Sequence, residues 1–497
     1  MTPESDETEG GRSLAVLPPP AQREAPRAAP TAERSLVIVA NRLPTQRVGR
    51  GAEARWELSP GGLVSALEPA LSRRGGVWIG WSGASGEAPG PFRAGRIENI
   101  PVPVSRREVA EFYEGFANRT LWPLLHDAIR QPVFERRWWE TYRKVNRRFA
   151  EAAATSAARG ADVWIHDYQL LLAPAMLRAL RPDVRIGFFL HIPFPPVELF
   201  SRLPWAEQVV EGVLGADVAG FQTAGDAANF RRMARDVGAG TTTGEVVRVE
   251  EREVVAREFP ISIDVSRQAA LASAPAARMG AERLRESLGR ERQILLGVDR
   301  LDYTKGIEQR LCAYRSLLRS GRARIDRHVL VQIAVPSREN VREYREARRR
   351  IEGLVGEING QHGEVGRVAV HYLRRSLKPD RLAAFYRAAD VMLVTPLRDG
   401  MNLIAKEYVA SREHEDGALA LSRFAGAARE LSGAVMCNPH DVEGLAESIG
   451  QALEMSADEA AARMRRMRAA VAEHDVHRWA GGFLKELGRD RRRSSEA

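Results

Sequence analysis

Short, unbroken apolar runs alternate along this chain with longer amphipathic stretches of helical period. In the first half the runs are Ser35–Ala40, Val77–Gly80, Asp162–His166, Ile186–Leu190 and Asp217–Phe221. In the second half they are Ile294–Val298, Val329–Ile333, Val368–Tyr372, Val391–Val394 and Ala418–Leu421. Helical patterns fill 135–158 and 169–180, then 307–320, 339–357, 380–388, 400–412 and 441–455. A strand without polar alternation is buried on both faces, which is the signature of a parallel sheet covered by helices. Two successive sets of such strands predict two doubly wound α/β domains. The junction falls after Phe259–Asp264, within 260–290, which gives an N-terminal domain at 34–264 and a C-terminal domain at 265–460. Helices at 461–488 are expected to pack back on the N-terminal domain. Residues 238–258 read as a loop with a small hairpin. Residues 1–33, rich in Pro, Ala, Glu and Arg, read as a disordered tail, and 489–497 as a frayed one. There is no internal repeat, no coiled coil, and no stretch near the roughly 18 apolar residues of a membrane span.

Composition changes this picture little. The chain has 497 residues, 44% hydrophobic and 28% charged, which excludes collagen-like and disordered classes. Its net charge of +9 comes from 74 basic residues, only five of them lysine (144, 305, 378, 406, 485). The arginines are scattered and often paired with acids, so a nucleic-acid partner is not expected. Lysines 305 and 406 sit beside turns that carry other chemistry, where ammonium and guanidinium are not interchangeable. Two distant cysteines, Cys312 and Cys437, and an acidic N-terminus (Glu4, Asp6, Glu7, Glu9) point to a reducing cytoplasm. No His-x-x-x-His, cysteine cluster, Walker loop or nucleophile elbow is present. No metal and no cofactor is expected.

In doubly wound sheets ligands bind at the C-terminal ends of strands, and those ends are unusually polar here. The first carries Asn41-Arg42. Gly61-Gly62, opening a helix, is either a plain turn or a backbone cradle for phosphate. His166-Asp167-Tyr168-Gln169 and His191 close two further strands, as satisfied structural groups or as ligands. In the second domain Arg300 and Lys305 flank a helix start, where dipole and cations together favour an anion such as a diphosphate. Arg338 is another cation on the same edge. Asp399-Gly400 turns into a helix that carries Lys406 and Glu407. A carboxylate there can accept both hydroxyls of a ribose.

The strings VIVANRLP, SPGGLVSAL, FYEGFANRTLWPLLHD, VWIHDYQLLLAP, IGFFLHIPFPPVELF, LPW, GADVAGFQT, GVDRLDYTKGIEQRL, TPLRDGMNLIAKEYVA and LSRFAGAARELSGAVMCNPHD belong to a match that spans about residues 36 to 485. In type and order they resemble the trehalose-6-phosphate synthases, retaining glycosyltransferases of the GT-B build, with two Rossmann-like domains facing a cleft. The resemblance implies glucose transfer from UDP-glucose or another nucleotide-glucose to glucose 6-phosphate, without a metal. It implies that Arg300 and Lys305 hold the donor diphosphate, with Gly61 and Gly62 against it. Glu407 takes the ribose, and Leu377 meets the base through its backbone. Asp399 and the stretch Gly400, Met401, Asn402, Leu403, Ile404, Ala405 and Lys406 complete the donor site. His191 contacts the donor sugar, and Arg42, Tyr113, Trp122, Asp167 and Arg338 form the acceptor pocket. Arg300, Lys305, His191 and Asp167 are the catalytic candidates. Relatives of this family form dimers or tetramers, so a homo-oligomer is expected. Where many of them read His-Asp-Tyr-His, this chain has Gln169. Two rival readings share the fold: a glucosylglycerol-phosphate synthase, and a silent sugar-phosphate sensor. The aromatics Tyr113 and Trp122 favour a hexose acceptor over the first, and the intact donor residues argue against the second.

Overall fold

A computed structural model describes residues 34–48, 55–58, 67, 75–86 and 88–489. The expected tails at 1–33 and 490–497 and the Gly61-Gly62 pair lie outside the described residues. The apolar runs form two sheets. In the ten-stranded N-terminal sheet the central strand Leu36–Arg42 lies between Asp162–His166 and Gly76–Trp81. On one side the order continues through Arg185–Phe189, Val218–Phe221 and Arg252–Glu258. On the other it continues through Ile97–Pro101. Every one of these pairings is parallel. The antiparallel hairpin Thr241–Thr243/Val246–Val249 and the short strand Phe92–Ala94 close the two edges. The six-stranded C-terminal sheet is parallel throughout, in the order Val370–Leu373, His328–Val335, Gln293–Arg300, Val391–Val394, Ala418–Ser422, Val435–Cys437.

Inner strands such as Gly76–Trp81 and Ala418–Ser422 are buried at every position, which is why they read as continuous apolar runs. Two features differ from the sequence expectation, and one more falls where no element was expected. Residues 252–258 are more than a hairpin arm: Val254 and Ala256 point into the core, and the strand pairs in parallel with Val218–Phe221. Residues Val109–Leu121 form a π-helix, and the amide of Trp122 bonds to the carbonyl of Ala117, five residues back. Such wide turns are frequent at functional sites. Lastly, the helix Ala457–Glu473 stays with the C-terminal domain, packed on Leu403–Ser411, whereas Val476–Leu487 packs on the N-terminal sheet. Phe483 of that last helix is wholly buried and stacks on Trp164 at 4.3 Å between ring centroids.

The chain therefore crosses between the domains twice, at Phe259–Asp264 and just before Val476. The crossings touch: the Val476 amide donates to the Ile263 carbonyl at 3.0 Å.

Candidate active site

The C-terminal ends of both sheets face one cleft. In the C-terminal domain, the strand Gln293–Arg300 delivers Arg300 at its exposed end. A short turn, Tyr303–Lys305, follows, capped by the Asp302 carboxylate accepting from the Thr304 amide at 3.1 Å. Gly306 then starts the helix Ile307–Arg319 with φ 64°; a Cβ there would fall 1.9 Å from the Thr395 carbonyl oxygen. That close approach requires glycine and fixes Lys305 against the neighbouring strand end. The Lys305 ammonium lies 2.6 Å from Asp399 Oδ2. Asp399 also accepts from the Gly400 amide and from Asn402 Nδ2, each at 3.0 Å. Burial pushes the Asp399 carboxyl up, but the Lys305 charge and hydrogen bond outweigh it and hold the group below the usual carboxylate range. Arg300 is in no ion pair among the described residues; its guanidinium carbon sits 5.2 Å from the Trp122 ring centroid.

Asn402, at φ 73°, leads into the helix Leu403–Ser411, which places Glu407 in the wall. Tyr386 donates its hydroxyl to Glu407 Oε2 at 2.8 Å, and burial pushes this carboxyl up to about 6. Lys406 is different. It is wholly buried, and its ammonium is taken up by both Glu430 oxygens at 2.9 Å and the Ile261 carbonyl at 3.0 Å. The ammonium is thus committed inside the fold, and a place for Lys406 in the donor stretch falls to its backbone. Consecutive helical residues face different directions, so a helix that turns Glu407 to the cleft turns Lys406 away from it. Met401 and Ala405 are buried, while Leu403 and Ile404 are partly exposed. Leu377 follows the edge strand Val370–Leu373, partly buried against the core.

Across the cleft, Arg42 ends the central strand with its guanidinium carbon 4.1 Å from the Trp81 centroid and 6.0 Å from that of Tyr113. The π-helix supplies Tyr113 at one end and leads directly into Trp122 at the other. Asp167 carries φ 75° and ψ 169°, a conformation otherwise almost confined to glycine. Its Oδ1 accepts from the His191 amide at 3.2 Å, and burial pushes its carboxyl up to about 6, against the pull of Arg300 and Arg338. His191 lies beside the Asp399–Asn402 loop: a Cβ on Gly400 would fall 2.2 Å from the His191 carbonyl oxygen.

Arg338 joins the two halves. Its Nη2 donates to the Tyr168 hydroxyl at 2.9 Å and its Nη1 to Asp302 at 3.2 Å. It also contacts the Tyr344 hydroxyl and lies 3.9 Å over Trp122. Tyr168 in turn donates its hydroxyl to Asn118 Oδ1 at 2.9 Å. Further ties cross the cleft: Arg398 lies 3.2 Å from both Asp127 and Asp226, Arg119 3.2 Å from Glu343, and Asn340 2.9 Å from Glu114.

Arg42, Tyr113, Trp122, Asp167, His191, Arg300, Lys305, Arg338, Asp399 and Glu407 thus line or adjoin one cleft. Sequence reasoning missed Tyr168, Asn118, Tyr344, Tyr386 and Arg398. Tyr168 and Arg398 sit next to chosen residues and had a signal. Tyr344 and Tyr386 lie inside helices and had none. Among the described residues no group of three or more His, Cys, Asp or Glu is arranged to hold a metal ion.

Comparison with known proteins agrees with this layout. The chain is 53% identical over 466 residues to a trehalose-6-phosphate synthase of Mycobacterium avium (strain 104), covering 91% of this chain and 94% of the relative. It superposes on a UDP-forming α,α-trehalose-phosphate synthase from Burkholderia xenovorans with a TM-score of 0.84 at 36% identity, over 91% and 98% of the two chains. A Burkholderia xenovorans structure in complex with glucose-6-phosphate gives 0.84 at 35% identity, over 91% and 99%. The fold is therefore GT-B, two Rossmann-like domains about a cleft. The glycosyltransferase family 20 model matches residues 34–489, and on that span, with such relatives, the chain belongs to glycosyltransferase family 20.

Proposed function

We propose that this chain transfers glucose from UDP-glucose to glucose 6-phosphate, with retention, giving α,α-trehalose 6-phosphate and UDP. The observation that carries the reading is the convergence on one cleft of two chemically distinct halves. On the C-terminal strand ends stand Arg300, Lys305–Asp399 and Glu407. Facing them are Asp167, His191 and Trp122, and Arg338 reaches over from the C-terminal side to stack on Trp122. The family relatives and the UDP-forming and glucose-6-phosphate-bound neighbours support the same donor and acceptor.

Arg300 and Lys305 face the donor diphosphate. As the bond from C1 to the diphosphate oxygen breaks, its electron pair moves onto that oxygen, and two preorganised cations stabilise the charge. The acceptor hydroxyl attacks C1 from the face the diphosphate leaves, and its proton passes to the departing phosphate oxygen. Asp399, kept ionised by Lys305, accepts from donor sugar hydroxyls, and Glu407 accepts from the ribose. Arg338 and Arg42 take the acceptor phosphate, a dianion suited to planar cations. Asp167 accepts from an acceptor hydroxyl. The cations already supply the charge the leaving group needs, so the reaction is assigned as metal-independent. The enzyme is assigned to the cytoplasm, where Cys312 and Cys437 stay as free thiols, and to a dimer or tetramer.

The test is a product assay in EDTA with glucose 6-phosphate and UDP-, ADP- or GDP-glucose, reading nucleotide release and product by NMR. A 1,1-linked α,α disaccharide phosphate, formed best with UDP-glucose, is expected. Reaction only with glycerol 3-phosphate would overturn the acceptor, and a trapped glucosyl–carboxylate adduct would overturn the single displacement. Light scattering on the purified protein reads the oligomeric state.

A further inference from the structure

His166 closes the strand beside the cleft, yet nothing in the proposed reaction uses it. It is wholly buried, and its Nδ1 lies 3.1 Å from Nε2 of His191. Its other ring nitrogen, Nε2, is shut away from solvent with no partner. Its ring packs against Trp164 at 4.7 Å and Phe189 at 6.4 Å between centroids. His191 is only half buried, and its Nδ1 has no bonded partner among the described residues. The backbone of His191 touches the Asp399–Asn402 loop through the close approach at Gly400.

One proton lies between the two imidazoles, and two arrangements exist. If His191 donated from Nε2, His166 would have to carry its own hydrogen on Nε2, as a buried N–H with no acceptor. Buried orphan N–H groups are rarer and costlier than acceptors left bare. The arrangement that avoids the orphan puts the hydrogen on His166 Nδ1 and leaves Nε2 as a bare lone pair in an apolar niche. His191 Nε2 then accepts, so its own hydrogen sits on Nδ1. Burial keeps both rings neutral: it pushes His191 down to about 3 and His166 well below the usual histidine range.

We propose that His166 is a positioning residue that locks His191 in the Nδ1–H form, so that His191 presents a hydrogen-bond donor, not an acceptor, to an oxygen of the sugar bound at the Asp399–Asn402 loop. This rests on the donor site proposed above. It assigns a reason for two consecutive strand-end histidines: the inner one sets the tautomer and the outer one uses it, a division of labour known from other histidine sites.

The full-length enzyme labelled with ¹⁵N-histidine tests it directly. Long-range ¹H–¹⁵N correlation should show His191 protonated at Nδ1 and bare at Nε2, with the signal assigned by its loss in His191→Ala. The opposite pattern overturns the inference. Kinetics give a second reading. His166→Phe keeps the ring volume against Trp164 and removes the donor. The expected result is a loss of about tenfold in kcat/KM for UDP-glucose, with the KM for the acceptor unchanged, the size of one misplaced hydrogen bond. His166→Asn places an amide N–H near the lost Nδ1 and should recover most of that loss. Parental activity in His166→Phe, or no rescue by His166→Asn, overturns the inference. If His166→Phe does not fold, the spectrum of the parent enzyme decides. His191→Ala separates the two levels. Unchanged donor kinetics in that variant would remove the donor-site assignment itself. A His191→Ala loss without any His166→Phe effect would remove only the role given to His166.

Discussion

Truncating Lys305 to alanine separates two effects that the structure binds together. The side chain is 9% exposed, and its ammonium is 2.6 Å from an Asp399 carboxylate that is itself 12% exposed. Removing it takes away one of the two cations assigned above to the departing diphosphate. A preorganised donor to a developing oxyanion is worth roughly 3–4 kcal/mol, or about 10²–10³ in kcat. The same change strips Asp399 of its counter-charge. Breaking a buried pair costs about 3–5 kcal/mol when the remaining charge has nothing else. Here the Gly400 amide and Asn402 remain as donors, so the cost is nearer ~2 kcal/mol. The assay is nucleotide release at saturating substrates, read beside a denaturant melt. Adding Asp399→Asn to Lys305→Ala should return most of the lost stability, because the stranded charge is gone, but none of the lost rate. A folded Lys305→Ala enzyme turning over within tenfold of the parent would refute the placement of the leaving group. So would a double variant that regained speed together with stability.

The other predictions fall on separate parts of the cleft. Arg338→Ala should raise the KM for glucose 6-phosphate by about tenfold or more while the donor KM holds, since it loses a charged contact worth roughly 1.5–3 kcal/mol; initial rates across both substrates check this. Lys406→Met should cost about 3 kcal/mol in urea unfolding, by stranding Glu430, yet leave UDP-glucose binding unchanged; a large loss of donor affinity in the folded variant would restore the ammonium to the donor site. Glu407 is pushed up to about 6, and UDP-glucose itself does not titrate nearby, so its calorimetric Kd should rise as pH drops from 7 to 5. Glu407→Gln should flatten that dependence. Linkage has the opposite sign for folding. The folded chain holds this proton up to about 6 and the unfolded chain only up to the usual carboxylate value. The contribution of Glu407 to stability is therefore fully present at low pH and is lost as pH rises through 6. Comparing urea midpoints of parent and Glu407→Gln between pH 4 and 7 reads this directly.

The strands were legible because parallel strands buried on both faces must be apolar throughout, as at Gly76–Trp81 and Val391–Val394. The ends of those strands were legible as chemistry because polar groups there serve no packing need. Legibility failed where geometry is not periodic in sequence. The π-helix at 109–121 carries Val109, Phe112, Phe116, Ala117 and Leu121 at an ordinary helical spacing that does not mark its wider turn, and the edge strand Phe92–Ala94 is only partly buried. It failed also where partners are remote. Tyr168 meets Arg338 across 170 positions, and Tyr386 meets Glu407 from another helix. For Lys406, rarity marked the residue as constrained without saying where its ammonium goes. Its constraint is the Ile261 carbonyl and Glu430.

The two adjoining crossings decide what kind of opening this molecule can make. The Val476 amide is bonded to the Ile263 carbonyl, while Ile261 is held from one side by Gln222 and from the other by Lys406. A single connector would act as a tether and let the halves swing and twist independently. Two connectors clasped side by side act as a hinge pin, leaving one soft rotation about the line through Ile263 and Val476. A rotation of that kind would bring Arg338 back to Tyr168 and Arg398 back to Asp226 in the same register. The closing helix Val476–Leu487 is thus the part that restricts how the two halves can move, by adding a second strap beside the first.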